Sequence, residues 1–340
     1  MTALRPSTGL ATRRGPSRGT VTAVVLGLLL ALLALVAMGL GDYPLGPVEV
    51  LRALVRDQGF DTVVVTEWRL PRVLAALVFG AALGVSGALF QSLTRNPLGS
   101  PDVIGFSTGS FTGVLVFTII FGGSTLGTTS GAIVGGLATA LVVYLLAYRR
   151  GIQGFRLIVV GIAVTAMLHS FNVWLLLQVQ TEVAMSASIW AAGTLSLVGW
   201  EQLLPAAVML AVLVPVVLGV AGPLRQLELG DDAAAAHGVR VEPARLVILV
   251  VGVSLTAIVT ATTGPIAFVA LAAPQVARRI ARSAGLPLGH AALVGAMLLL
   301  AADVVAQHLL PTALPVGVVT VVLGGIYLLN LLVREARRAA

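Results

Sequence analysis

Residues 69–101 read RLPRVLAALVFGAALGVSGALFQSLTRNPLGSP and give the clearest indication of the chain's architecture. Within them, residues 73–92 are uncharged and mainly apolar, and a helix of this length crosses the hydrocarbon core of a bilayer. Arg69 and Arg72 precede the apolar run, whereas two prolines and a glycine follow it and favour an irregular turn. We therefore predict a membrane-spanning helix with a charged mouth at one end and an irregular segment at the other.

The rest of the chain has the same apolar character. Of its 340 residues, 58% are hydrophobic and 10% are charged, and the mean hydropathy is +1.02. A soluble core could not hide so much apolar surface, whereas lipid solvates the outer face of a membrane protein. We predict an all-α integral membrane protein with ten transmembrane helices, the eighth of them short and partial or re-entrant because it begins at Gly264 and Pro265. The ten predicted spans are 21–40, 73–92, 103–121, 128–148, 156–178, 202–221, 246–262, 266–280, 290–309 and 316–333.

The basic residues orient these spans. With the N-terminus in the cytoplasm, 17 of the 21 basic residues fall inside, and those outside are Arg52, Arg56, Arg69 and Arg72. This is the bias of the positive-inside rule. We predict a multi-pass protein of the cytoplasmic (inner) membrane with both termini cytoplasmic. A single transmembrane domain, 21–334, lies between cytoplasmic tails at 1–20 and 335–340.

Residue types that the chain lacks exclude several functions. It has no cysteine, which excludes disulfides and thiolate metal sites. All 21 basic residues are arginine, and a phosphate-binding P-loop needs a lysine, so we predict no ATPase activity, no catalytic residue and no cofactor in this chain. The sequence contains no spaced set of His, Asp and Glu, so no metal site is predicted. The arginines lie at helix ends, which indicates membrane topology rather than nucleic-acid binding.

Two polar segments leave alternatives open. Arg69 and Arg72 would share one face of a helix, and interfacial arginines either anchor a helix at the headgroups or take part in recognition. The segment 91–101 is either a plain connection or irregular backbone that lines a cavity.

A third segment lies in the longest predicted cytoplasmic connection, 222–245. Its core, 229–238, is predicted to form a short helix, with Asp231 and Asp232 at the end where the helix dipole favours acids and Gly238 at the other. Such a helix either lies on the membrane or contacts a partner, and the paired acids favour a protein partner over an anionic leaflet. Inside the membrane, Asp303 is the costliest residue and a candidate functional group.

Together these segments resemble the permeases of iron-siderophore and vitamin B12 ABC importers, over about residues 40–335. The resemblance implies the type II ABC importer permease architecture, with ten helices in one permease domain. The motifs that carry it are Arg69-Leu-Pro-Arg72, Gly80 with Gly84, Ser86-Gly87, Gln91, Asn96-Pro-Leu98, Pro101, Ile104-Gly105, Trp190-Ala-Ala-Gly193, Leu229-Gly-Asp-Asp232 with Gly238, Gly264-Pro-Ile-Ala-Phe268, Pro274 with Arg278, and Leu314-Pro-Val-Gly317.

The resemblance implies the permease subunit of an importer that carries a ferric siderophore across the cytoplasmic membrane. The implied partners are a second permease subunit, two ABC ATPase subunits that use ATP and Mg, and an extracytoplasmic siderophore-binding protein. The runs around Pro274, Asp303 and Gly324 are most similar to the ferric enterobactin branch of the family. That similarity favours a catecholate siderophore and a heterodimeric rather than homodimeric permease.

Individual roles follow from the same resemblance. Arg69 and Arg72 match positions that dock the binding protein, and Asn96 and Leu98 match positions in the cytoplasmic gate. Gln307 stands where many members carry an arginine, which is a third docking position. The coupling segment, at about 225–240, would take the ATPase stroke through Leu229, Gly230, Asp231, Asp232 and Gly238.

Two other classes of function stay open from the sequence. A proton-coupled secondary transporter would use Asp303 as its relay, and a membrane scaffold would transport nothing. Uptake that survives deletion of the ATPase but collapses with an uncoupler would indicate the proton-coupled class.

Overall fold

The computed structural model describes residues 18–57, 59–102, 104–121, 125–148, 154–282, 285 and 287–339, and the regular elements within these ranges are all helical. Two short stretches, π1 and π2, have π-helical hydrogen bonding. In chain order the elements are α1 Arg18–Gly39, α2 Pro47–Val55, α3 Phe60–Val63, π1 Val64–Arg69, α4 Leu70–Thr94, α5 Phe106–Phe121, α6 Thr125–Ala147, α7 Gly154–Gln178, α8 Thr181–Ala191, α9 Trp200–Glu228, α10 Asp231–Ala236, α11 Val241–Thr263, α12 Val269–Ala281, α13 Leu288–Val304, π2 Val305–Leu309 and α14 Val316–Ala339.

A helix is present at each of the ten predicted positions. In the described part of the chain, seven helices are long and apolar enough to cross a membrane, and two shorter apolar helices are α5 and the Val316–Leu329 part of α14. The remaining helix, α12, corresponds to the eighth predicted span; it has only 13 residues and carries Arg278 and Arg279 in its last turn. The short eighth helix is therefore confirmed, whereas ten complete crossings stay a prediction.

The helices divide into central and peripheral ones. In the most apolar window of α1 only 11% of residues are buried, whereas 72% are buried in the windows of both Phe60–Thr94 and α11. Leu28 of α1 is 67% exposed. Such apolar surface suits a lipid environment, in line with the predicted membrane fold, and α4 and α11 form the centre of the bundle.

Small residues bring the central helices into backbone contact, as expected for membrane helix packing. A Cβ at Gly84 of α4 would lie 2.1 Å from the carbonyl oxygen of Ala291 in α13. A Cβ at Gly113 of α5 would lie 1.9 Å from the carbonyl oxygen of Gly131 in α6. Glycines thus bring the backbones of α4 and α13, and of α5 and α6, into direct contact.

Several segments differ from simple connectors. Arg69 and Arg72 lie within continuous helix, because π1 leads directly into α4. The helix predicted within 229–238 is present as α10, and glycines with positive φ flank it, Gly230 at 120° and Gly238 at 82°. At the chain ends, α14 continues through the predicted tail as far as Ala339, and most of the predicted tail 1–20 lies outside the described residues.

Candidate functional site

Arg72 and Asp303 form an ion pair at the end of the bundle that is predicted to face outside. The Arg72 guanidinium donates from Nε to Asp303 Oδ2 at 2.9 Å and from Nη2 to Oδ1 at 2.8 Å. The Asp303 side chain is 7% exposed and that of Arg72 is 22% exposed. α4 and α13 pack closely through glycine, and this packing brings together two side chains that are 231 residues apart in the sequence. A bidentate partner offsets much of the cost of burying the Asp303 carboxylate.

Arg69 has different partners. Its guanidinium donates to the carbonyl oxygens of Met38 at 2.8 Å and Tyr43 at 2.6 Å, which belong to the chain around the end of α1. A Cβ at Gly41, whose φ is 136°, would lie 2.8 Å from Arg69 Nη2. The loop after α1 therefore wraps around the Arg69 guanidinium, which binds neutral oxygens rather than a carboxylate.

Aromatic side chains surround this end. The ring of Phe60 makes edge-on contacts with Tyr43 at 5.5 Å and Trp68 at 5.9 Å. The Tyr43 hydroxyl donates to Asp61 Oδ1 at 2.8 Å, and this hydrogen bond raises the pKa of Tyr43 above its ordinary value. Phe60 and Trp68 are more than half exposed, so apolar surface is available at this end.

These groups border an open cavity of about 370 Å³, which we call the Arg72 mouth. Its polar lining combines two cations, two acids and an imidazole in one place. The residues that define it are Asp42, Tyr43, Trp68, Arg69, Arg72, Ser196, Asp303 and His308.

The opposite end contains a second charged group, which we call the Asp231 cluster: Arg95, Asp231 and Arg245. Arg245 Nη2 donates to Asp231 Oδ1 at 2.7 Å and to Oδ2 at 2.9 Å. Arg95 Nη2 also contacts Asp231 Oδ1 and donates to the carbonyl oxygen of Leu227 at 3.0 Å. One carboxylate at the start of α10 therefore joins the end of α4 to α11.

The predicted gate residues follow Arg95 directly. Arg95 ends α4 in the left-handed conformation, with φ 49°. The Asn96 side chain then accepts a hydrogen bond from the backbone N–H of Leu98 at 2.9 Å, which forms a tight turn. Arg95 and Asn96 also line a cavity of about 340 Å³ between the ends of α4, α9 and α12. The predicted irregular segment is present, and it borders a cavity.

Three motifs that are far apart in the sequence meet inside the bundle. The backbone N–H of Thr194 donates to the carbonyl oxygen of Thr263 at 2.8 Å, and that of Gly317 donates to Gly193 at 3.0 Å. A Cβ at Gly264 would lie 2.1 Å from the carbonyl oxygen of Trp190. We call these contacts the central joint. They join three non-helical segments, which follow α8, follow α11 and precede α14, through backbone atoms alone.

The structure thus places the predicted site residues at two ends. Arg69, Arg72 and Asp303 lie at the Arg72 mouth, where Arg72 neutralises the acid that a proton relay would use. Asn96, Leu98 and the predicted coupling residues lie at the other end. There, Asp231 forms an ion pair with Arg95, and the side chain of Leu229 is 71% exposed. Among the described residues, no group of three or more His, Asp or Glu could hold a metal ion.

Sequence reasoning missed Arg95, Arg245 and Tyr43. Arg95 directly precedes the predicted gate residues, so its position was a usable signal. Arg245 gave no usable signal, because its burial and its contact with Asp231 depend on how the chain turns back after α10. Tyr43 gave no signal, because its contribution to binding Arg69 comes from the backbone.

Comparisons with known proteins identify the family of the chain. The model of the FecCD transport family matches residues 28–334. The ferric enterobactin transport system permease protein FepG of Escherichia coli (strain K12) is 54% identical over 292 residues, 85% of this chain and 88% of that protein. The achromobactin transport system permease protein CbrC of Dickeya dadantii (strain 3937) is 36% identical, over 93% of this chain and 92% of that protein.

A solved structure gives the same result for the fold. It is an inward-facing conformation of a metal-chelate type ABC transporter, which aligns with a TM-score of 0.81 at 30% identity, over 92% of this chain and 98% of its own. The family model covers most of the sequence and the relatives are matched nearly end to end. The chain belongs to the FecCD transport family.

Proposed function

We propose that this chain is the permease subunit of an ATP-binding cassette importer that carries a ferric siderophore across the cytoplasmic membrane. The observation that carries the proposal is the 54% identity with FepG over 85% of the chain, since that relative is a ferric enterobactin transport system permease. A catecholate siderophore is accordingly the proposed cargo. Both termini face the cytoplasm, which leaves the Arg72 mouth outside and the Asp231 cluster inside.

The proposed assembly needs other chains. A permease without a P-loop lysine depends on two ABC ATPase subunits for ATP and Mg, and an extracytoplasmic siderophore-binding protein delivers the cargo. The second permease subunit is a related chain rather than a copy, because the similarity is to the ferric enterobactin branch. The chain itself makes and breaks no covalent bond, and transport proceeds by alternating access.

Each end has a part in this cycle. The binding protein docks at the Arg72 mouth through Arg69 and Arg72, and Asn96 and Leu98 form part of the cytoplasmic gate. Of the two arginines, Arg69 is the better candidate for attracting an acidic partner: Asp42 lies nearby, but the hydrogen bonds of Arg69 go to neutral carbonyls, whereas Asp303 binds Arg72 in an ion pair. Charges at the rim of an interface mainly change the association rate and its salt dependence.

The test begins with a gentle detergent purification of the tagged chain from iron-starved cells, with every co-purifying chain identified. The complex is then reconstituted in proteoliposomes with its binding protein, and uptake of radioactive iron supplied as ferric enterobactin is measured. We expect an ABC ATPase and a second, different permease to co-purify, and uptake to require ATP. Uptake that proceeds without ATP and collapses with an uncoupler would overturn the proposal.

Docking can be tested separately with Arg69→Gln. We expect slower association of the binding protein with the complex, most clearly at low salt, with ATP hydrolysis retained. An association rate equal to wild type would remove Arg69 from the docking surface.

A further inference from the structure

The Asp231 cluster is asymmetric. The Arg245 side chain is 10% exposed, lies on α11 and binds both carboxylate oxygens, whereas the Arg95 side chain is 45% exposed and binds one of them. The two contacts of Arg245 come from one nitrogen, Nη2, and the burial of its guanidinium limits competition from water, whereas water competes readily for the half-exposed contact of Arg95. Arg245 is therefore a fixed anchor for Asp231, and Arg95 is a contact that can be released.

Arg95 also spans a hinge. Its Nη2 contacts the carbonyl oxygen of Leu227 in the last turn of α9 and the Asp231 carboxylate at the start of α10. Between these two acceptors lies Gly230, with φ 120° and no atom within 4 Å of the position that a Cβ would take. Both acceptors can bind one guanidinium nitrogen only while the angle between α9 and α10 keeps the two oxygens close to it. The occupancy of the Arg95 contacts therefore depends on the angle of this hinge.

Arg95 in turn determines the start of the gate segment, residues 96–98. Its left-handed backbone turns the chain out of α4, and a residue other than glycine holds this conformation at some cost. The contacts of its side chain stabilise that turn. A change at the Gly230 hinge thus has a direct route to the residue that precedes Asn96.

We propose that Asp231 is the positioning residue through which movement of α10 reaches the gate segment, with Arg245 as its anchor and Arg95 as its releasable contact. The inference rests on the proposed function, in which the partner ATPase moves α10. When the hinge changes its angle, Asp231 leaves Arg95 and the 96–98 turn is freed. When the angle is restored, the contact forms again and the turn is held.

The experiment uses the reconstituted complex and measures iron transported per ATP hydrolysed. Arg95→Gln removes the charge and leaves the gate residues intact, and Asp231→Asn removes the charge from the other side. Arg240→Gln is the matched control, because Arg240 is an exposed arginine in the same connection with no ion pair in the described part of the chain. We expect both test variants to assemble and hydrolyse ATP while the ratio falls about fivefold or more, a common size for coupling between sites. The control should keep the wild-type ratio.

A second readout follows the gate itself. Because the chain has no cysteine, Pro97→Cys and Leu146→Cys allow two spin labels at exposed positions, one on the gate segment between Asn96 and Leu98 and one on α6. ATP should change the distance between the labels in the otherwise wild-type chain and leave it unchanged in the Arg95→Gln background. Asp231→Glu, which keeps the charge, should restore more of the transport ratio than Asp231→Asn.

The outcomes separate the inference from the proposed function. If an assembled Arg95→Gln or Asp231→Asn complex keeps the wild-type ratio, or its gate still moves with ATP, the inference is overturned and the importer function stands. If the wild-type complex shows no ATP-dependent uptake, the proposed function fails and the inference fails with it.

Discussion

The Arg72 mouth and the Asp231 cluster use the same chemistry at opposite ends of the bundle, with opposite mechanical results. At the mouth, one arginine and one aspartate pair between two helices that touch through glycine backbones, and the acid is 7% exposed. In the cluster, the acid is 42% exposed and lies on a six-residue helix between two glycines with positive φ. Whether an ion pair holds two helices rigidly together, as a brace, or can open and close thus depends on its burial and on the stiffness of the backbone that carries it.

The largest effect is expected from breaking the buried pair. Arg72→Gln should lower the free energy of unfolding by about 3 kcal/mol, because it leaves the Asp303 carboxylate buried without its charged partner. The same change at Arg95 should cost at most about 1 kcal/mol, since the contact is half exposed. Thermal unfolding in detergent measures both.

A double variant controls for the chemistry of the mouth. Arg72→Met combined with Asp303→Leu should recover most of the lost stability, because no charge is then left unpaired. Equal stability of wild type and Arg72→Gln would contradict the description of the pair as a brace.

A smaller difference is expected between two glycine substitutions. Gly84→Ala should lower stability by about 2 kcal/mol, since the new Cβ would lie 2.1 Å from a backbone oxygen of α13 and the helices must separate. Gly230→Ala meets no atom within 4 Å, and its cost of about 1 kcal/mol comes from the backbone conformation alone. Gly230→Ala should therefore change thermal unfolding less than Gly84→Ala does, and its main effect should be a fall in iron transported per ATP. A larger loss of stability in Gly230→Ala than in Gly84→Ala would contradict the assignment of Gly84 to helix packing and Gly230 to the hinge.

Salt should affect the two ends unequally, and we expect its effect to be smaller than that of the glycine substitutions. Raising the ionic strength from about 0.1 M to about 1 M shortens the Debye length from about 10 Å to about 3 Å, which screens exposed charges more than buried ones. We expect the iron transported per ATP to fall in wild type and to change little in Arg95→Gln. The stability difference between wild type and Arg72→Gln should stay nearly constant. A wild-type ratio that is independent of salt would argue against a role for the exposed contact.

The smallest effect concerns Tyr43 at the rim of the mouth. Its hydrogen bond to Asp61 raises the pKa of the phenol, so the neutral form is favoured in the folded protein. The resulting stability is present below the ordinary tyrosine pKa and is lost as the pH rises through the raised value. In a pH titration of tyrosinate absorbance, Asp61→Asn should shift one phenol to lower pH. A titration identical to wild type would mean that the hydrogen bond does not form in solution.

Part of the structure could be predicted from local sequence patterns. The apolar spans, the close-packed glycines and the short helix at α10 follow from local patterns, which residue types alone reveal. The paired acids before four alanines predicted the short helix and favoured a protein partner, whereas the coupling role of Asp231 came from the resemblance to the permease family.

The partners of these residues could not be predicted in the same way. Arg72 and Asp303 lie 231 positions apart, and only the packing of α4 on α13 brings them together. Arg245 reaches Asp231 because the chain turns back after α10. A pattern along the sequence does not show which distant residues meet in space, so Arg69 and Arg72 were predicted as docking residues without the contacts that the structure gives them.

The central joint has a consequence for how the protein is made. Its contacts join residues near 193, 264 and 317 through backbone atoms, and a Cβ at Gly193 or Gly317 would lie 2.2 Å from a carbonyl oxygen. Earlier helices can enter the membrane and pack in pairs as they leave the ribosome, but the joint needs all three parts. The middle of the bundle therefore closes only after Gly317 has been synthesised, because the contact between Thr194 and Thr263 can form earlier but the carbonyl oxygen of Gly193 receives its hydrogen bond from Gly317.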